Sequence, residues 1–76
     1  MSIRILLPKI GFSMESGAVA EWLVADGNHV TQGQPLYTLE AEKAVEEIEA
    51  PATGILTIHK HAHEECPVGT LLAEIR

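Results

Sequence analysis

Two stretches of this chain carry side chains that could do chemistry. In Leu39 to Val45, one of the three lysines, Lys43, sits among the carboxylates of Glu40, Glu42, Glu46 and Glu47. A deprotonated lysine amine can attack an activated acyl group and keep it as an amide. For that it needs display more than catalytic neighbours. The sequence on both sides is strand-like, with turn residues placed symmetrically about Lys43. The stretch therefore reads as a hairpin tip that displays Lys43 for covalent modification. The plainer alternative is a solvated charged surface. The second stretch holds His59, His61 and His63 beside Glu65 and Cys66. At a period of two, the imidazoles could share one face and approach a metal. The plainer alternative is an exposed polar loop whose histidines respond to pH. No second ligand cluster supports a metal, and none is expected.

Length and composition narrow the classes. Seventy-six residues make one small domain, residues 1–76, with a thin core. Cys66 is the only cysteine, so no internal disulfide can brace it, which suits a reducing compartment. Cys66 itself reads as a small, semi-buried apolar residue. The net charge of -6 argues against nucleic acid and favours basic protein partners. No apolar run approaches the roughly 20 residues that span a bilayer. Met1 to Ile10 lack the apolar stretch and cleavage site of a signal peptide. A soluble, unexported chain with no membrane partner is expected, cytoplasmic or in the mitochondrial matrix of a eukaryote.

The elements around Lys43 read as short strands. Ile3, Ile5 and Leu7 alternate with Arg4 and Leu6 up to Pro8. Lys9 to Glu15 form a loop in which Ile10, Phe12 and Met14 either plug the core edge or make a contact surface. Ala18 to Val24 is a strand with Trp22, closed by the turn Ala25-Asp26-Gly27-Asn28. His29 to Thr31, Leu36 to Glu40 and Val45 to Ala50 follow, the last ended by Pro51. Ile55 to Ile58 and Leu71 to Ile75 complete the set, with His59 to Cys66 a polar loop and Pro67-Val68-Gly69 a turn. Propensity dissents at one place. Leu39 to Ala50 is rich in Glu, Ala and Lys and taken alone reads as an amphipathic helix. Against it stands the turn rhythm, about every 8–12 residues, which predicts an all-β sandwich or barrel.

An internal repeat points the same way. Gly33, Leu36 and Leu39 recur 36 positions on as Gly69, Leu72 and Ile75, and Val30 aligns with Cys66. Gly17 and Val19 recur one step further, as Gly54 and Leu56, so the second copy is one residue shorter. Two similar halves predict a quasi-twofold sandwich. The connection at Lys43 and the two ends of the chain would then lie at opposite ends of the molecule.

These residues also resemble a known family. Pro8-Lys9-Ile10-Gly11-Phe12-Ser13-Met14 is similar to the first loop of lipoyl domains. Glu21-Trp22-Leu23, Asp26-Gly27, Val30, Gly33 and Leu36 follow at that family's spacing. Glu40-Ala41-Glu42-Lys43-Ala44 falls on its Glu-x-Asp-Lys-Ala modification motif, and Glu47 to Pro51 with Gly54 completes a match over nearly the whole chain. The resemblance implies a flattened barrel of two four-stranded antiparallel sheets, a barrel-sandwich hybrid, with lipoic acid in amide linkage on Lys43. Glu40, Glu42 and Ala44 would be the flanking recognition residues. The loop Ile10, Gly11, Phe12, Ser13, Met14 and Glu15 would lie beside the tip and be read by partners.

The same resemblance implies a swinging-arm carrier in the dihydrolipoamide acyltransferase component of a 2-oxo acid or acetoin dehydrogenase complex, not catalytic by itself. Its partners would be a lipoate ligase or lipoyl transferase, a thiamin-diphosphate dehydrogenase component, the acyltransferase catalytic domain and dihydrolipoamide dehydrogenase. The isolated domain would be a monomer. Three residues depart from the pattern: Glu42 stands for the usual Asp, Glu46 for an apolar or small polar residue, and His63-Glu64 for a Gly-Asp turn. Two rival readings remain. Biotin carrier domains share the fold, but methionines flank their lysine. Unmodified interaction domains of the same fold usually lack a lysine at the tip.

Overall fold

The computed structural model describes residues 2–11, 13–41 and 44–76. They form eight strands: β1 (Ile3–Leu6), β2 (Ser16–Trp22), β3 (His29–Val30), β4 (Pro35–Ala41), β5 (Ala44–Glu49), β6 (Gly54–Ile58), β7 (Cys66–Pro67) and β8 (Leu71–Ile75). Two four-stranded antiparallel sheets result, in the orders β1-β8-β6-β3 and β5-β4-β2-β7. No helix occurs among the described residues. The architecture is an open sandwich of the expected kind.

The repeat is the symmetry of the molecule. Exchanging β1, β2, β3 and β4 for β5, β6, β7 and β8 converts one sheet order into the other. Matching aliphatic residues fill the core between the sheets: Val19 with Leu56, Leu36 with Leu72, and Leu39 with Ile75 are each at most 1 % exposed. Each such side chain is worth roughly 1.5–3 kcal/mol relative to exposure. Gly33 and Gly69 turn the chain before β4 and β8 with φ of 89° and 93°, a left-handed conformation that glycine adopts without strain.

The unequal lengths of the two halves have a structural cause. In the β2–β4 ladder Val19 pairs with Leu39 and Glu21 with Thr38, which leaves Ala20 as a bulge. The matching β6–β8 ladder runs without interruption from Leu56 to Ile58. The extra residue of the first half is thus a β-bulge. A different bulge occurs in both halves. Pairing skips Leu36 between Pro35 and Tyr37, and Leu72 between Leu71 and Ala73. Each bulge lets two consecutive residues turn inward, so Leu36, Tyr37, Leu72 and Ala73 are all fully buried.

Tertiary pairing overrides the helical propensity of Leu39 to Ala50. β5 makes six rungs with β4, from Pro35–Glu49 to Ala41–Ala44. Val45 faces outward and is 65 % exposed, whereas Ile48 packs against the core. Most expected strand boundaries move by a residue, and two elements move further. The second strand begins at Ser16 and ends at Trp22 instead of spanning Ala18 to Val24. Cys66 and Pro67, expected in a loop and a turn, form β7 on Gly17 and Ser16. β7 is the counterpart of β3, and the alignment of Val30 with Cys66 already contained it. As an edge strand it tolerates Pro67, whose missing N–H costs no ladder bond on the open side.

The two ends of the sandwich are built differently. Ala41–Ala44, Ala18–Glu40 and Ser16–Pro67 pair at one end, where Val68 N–H also bonds to the Glu15 carbonyl at 2.9 Å. Ile3–Ile75 pair at the other, where Ile55 and Arg76 exchange bonds of 2.9 and 3.0 Å. The hairpin end and the chain ends therefore lie apart, as the repeat requires.

Candidate hairpin-end site

The β4–β5 ladder closes at Ala41 and Ala44, which leaves two residues between the paired strands. Those two, Glu42 and Lys43, lie outside the described residues, as does Phe12. Of the flanking recognition residues, Glu40 and Ala44 are both exposed at the head of the hairpin.

The first loop reaches the hairpin through a sulfur and a glycine. Met14 N–H bonds to the Gly11 carbonyl at 3.1 Å, and Ile10 N–H is 3.4 Å from Met14 Sδ. Ile10 and Met14 pack partly buried against the core. The plug alternative therefore holds for these two residues. A Cβ on Gly17 would stand 2.8 Å from the Met14 methyl and 3.0 Å from the Glu40 carbonyl oxygen. The absence of a side chain at Gly17 gives the loop, β2 and β4 room to approach this closely.

Loop and hairpin enclose an open depression of about 890 Å³. Ile10, Gly11, Ser13, Met14 and Glu15 line it from the loop, and Glu40, Ala41 and Ala44 from the hairpin. The structure thus brings together the described members of the two sets expected to be neighbours. Sequence reasoning missed Ser16, Gly17 and Ala18 on β2, and His63 and Glu65 beyond β6, which complete the lining. Three carboxylates, of Glu15, Glu40 and Glu65, border it, and Ser16 Oγ donates to Glu65 Oε2 at 3.2 Å. His63 is the one side chain of the described lining able to carry positive charge.

His63 has φ of 66°, the only described non-glycine residue in the left-handed region. Its N–H bonds to the Val19 carbonyl at 2.7 Å. The repeat explains both facts. Thirty-six positions earlier stands Gly27, with φ of 86° and its N–H bonded to the Leu56 carbonyl at 2.7 Å. His63 thus occupies a position shaped for glycine. His63→Gly should raise stability by about 0.5–1 kcal/mol, because relief of left-handed strain outweighs the entropy glycine adds to the unfolded chain. For a domain of this size that is a rise in Tm of roughly 2–8 °C. A thermal melt checks it; a Tm at or below the parent's would contradict it.

His59 and His63 have different neighbours. His59 Nε2 lies 2.8 Å from Glu74 Oε1 on β8, while His63 borders the depression. Among the described residues no three His, Cys, Asp or Glu converge where an ion could be held. Among the described residues, the two groups with displaced titration also lie elsewhere. Burial pushes the Tyr37 phenol up to about 12, and hydrogen bonds from Ser2 and His59 hold the Glu74 carboxyl below its ordinary value. Tyr37 instead packs on Trp22, ring centroids 5.1 Å apart, and Trp22 Nε1 donates to the Lys60 carbonyl at 2.9 Å. That bond ties the loop after β6 to the second sheet.

A two-sheet sandwich with a lysine-bearing hairpin at one end is the architecture of a covalent carrier domain. The family model Biotin_lipoyl, described as "Biotin-requiring enzyme", matches residues 3–75, and the chain belongs to this family. Three curated relatives bear dihydrolipoyllysine-residue acetyltransferase names. The chain is 34 % identical over 76 residues to the component of the acetoin cleaving system of Bacillus subtilis, across 99 % of this chain and 19 % of that protein. It is 35 % identical over 75 residues to the pyruvate dehydrogenase complex component of Rickettsia typhi, across 96 % and 19 %. For the corresponding protein of Mycoplasma capricolum the identity is 40 % over 73 residues, across 95 % and 17 %. The chain thus spans about a fifth of the length of the curated relatives it matches.

Proposed function

We propose that this domain carries lipoic acid on Lys43 and serves the acyltransferase component of a 2-oxo acid or acetoin dehydrogenase complex. The observation that carries the reading is the Ala41–Ala44 closure, which leaves Glu42-Lys43 as the whole connection at the end opposite Ile3 and Ile75. The names of the relatives favour lipoate over biotin, and so do Glu42 and Ala44 beside Lys43 in place of methionines. A lipoyl group in amide linkage would supply a disulfide that accepts an acyl group, gives it to coenzyme A and is then reoxidised.

The chain's own part is presentation. The β4–β5 ladder fixes Ala41 and Ala44, between which Lys43 stands in the sequence, and the Met14–Gly17 contact fixes the loop beside them. Tethering then replaces diffusion with a local concentration in the millimolar range. The partners in this reading are a lipoate ligase or lipoyl transferase, the thiamin-diphosphate component, the acyltransferase domain and dihydrolipoamide dehydrogenase. The border of Glu15, Glu40 and Glu65 suits basic surfaces on them.

Reductive acylation tests the reading. The lipoylated domain is offered to thiamin-diphosphate components specific for acetoin, pyruvate, 2-oxoglutarate and branched-chain 2-oxo acids, and acyl transfer is followed by mass. One of them should acylate it far faster than free lipoamide; equal rates with all would contradict the reading. Phe12→Ser tests the loop. Ile10 and Met14 pack on the core, and recognition is assigned to Phe12 on its residue type and its place in the loop sequence alone. Its loss should lower kcat/KM about fivefold, corresponding to roughly 1 kcal/mol for an interface anchor, while the ligase still modifies Lys43. A lower Tm with an unchanged acylation rate would instead make Phe12 a third core plug.

A further inference from the structure

The depression beside the hairpin has a wall chemistry and a position that lead beyond presentation. Its volume, about 890 Å³, lies within the roughly 300–1,000 Å³ of small-molecule sites. Ile10, Met14, Ala18, Ala41 and Ala44 supply apolar lining. Met14 is held in place, its sulfur against Ile10 N–H at 3.4 Å and its methyl over Gly17. A polarizable thioether so placed packs well against soft, apolar groups. Ala44, in the lining, is the chain neighbour of Lys43, so a group carried on that lysine is tethered at the edge of the depression.

We propose that the depression is a resting site for the lipoyl group of this same chain, with the ring against Met14 and Ala18. The inference rests on the lipoyl reading of Lys43. The oxidised ring is uncharged and apolar, which fits a surface whose border carries the carboxylates of Glu15, Glu40 and Glu65 and whose only described cationic candidate is His63. A charged thiolate would be repelled by that border. Affinity need not be high. A tether supplies an effective concentration in the millimolar range, so an intrinsic Kd of about 1 mM leaves the arm docked roughly half the time. A docked ring is shielded from stray thiols, and a partner that binds the first loop displaces it.

The test uses the labelled 76-residue domain, modified by ligase and checked by intact mass, with nuclear magnetic resonance as the readout. Lipoylation should shift the amide or methyl signals of Ile10, Met14, Ala18 and His63, and ring protons should show cross-relaxation to the Met14 methyl. Ala18→Val, which narrows the depression, should reduce both effects at least twofold while Lys43 remains fully modified. Cross-relaxation in the parent domain decides the matter if that variant folds poorly. Shifts confined to residues 41–44, with ring mobility equal to that of free lipoamide, would overturn the resting site and leave the lipoyl reading standing. A biotinyl or absent mass increment would overturn both.

Discussion

Lys43→Arg should abolish modification completely and leave the domain folded. Arginine keeps the positive charge, but its guanidinium stays protonated at any working pH and offers no free amine to form an amide. The substitution falls in the two-residue connection between β4 and β5, away from the core pairs that hold the sheets together. Changes at such places usually stay within about 0.5 kcal/mol, so Tm should move by no more than roughly 4 °C. Lys9 and Lys60 are the internal controls. Lys60 is already engaged, its Nζ 3.4 Å from Glu64 Oε2 and its carbonyl accepting from Trp22. Modification of either in the Lys43→Arg chain would break the link between hairpin geometry and target choice.

Gly54→Ala should be the most destabilising of the glycine-to-alanine substitutions. The new Cβ would overlap the Arg76 carbonyl and stand 2.8 Å from Ile75 Cγ2. Arg76 cannot step aside without loss, because Ile55 and Arg76 exchange two backbone bonds of 2.9 and 3.0 Å. Overpacking costs about 1–3 kcal/mol, and the strained pair adds roughly 1 kcal/mol for each bond lost. Against the roughly 4–11 kcal/mol total expected for a domain of this size, a loss near 3 kcal/mol lowers Tm by more than 10 °C. The symmetry-related Gly17→Ala should cost less. Its nearest obstacle is the flexible end of Met14, and the Glu40 carbonyl is 3.0 Å away. Thermal melts of the two variants give the order; a Gly54→Ala melt within about 2 °C of the parent would contradict the close approach.

Much of this fold can be read from the sequence because the chain states its pattern twice. Gly33 with Gly69, Leu36 with Leu72 and Leu39 with Ile75 align in sequence, and the structure gives each pair the same φ or the same burial. Residue types could not reveal the bulges at Ala20, Leu36 and Leu72. A bulge is a property of pairing register, and alternation alone would turn Tyr37 and Ala73 outward. β7 was hidden for a related reason. Two residues with a proline carry no periodicity, and only the match to Val30 marks them. Around Leu39 to Ala50 propensity points to a helix, and the six rungs on β4 outweigh it.

The candidate site was legible in part. The loop and the hairpin were expected to be neighbours, and both line one depression. Ser16, Ala18, His63 and Glu65 were not anticipated, because three-dimensional closure through β7 brings them there. His63 could have been found. Its alignment with Gly27, 36 positions earlier, marks a place for a left-handed residue.

Intact mass with peptide mapping tests the central claim most directly. The domain is produced with both a lipoate ligase and a biotin ligase active and both acids supplied. The account predicts a single lipoyl increment, located on Lys43, in essentially every molecule. A biotinyl increment, an unmodified chain, or a lipoyl group on Lys9 or Lys60 would contradict it.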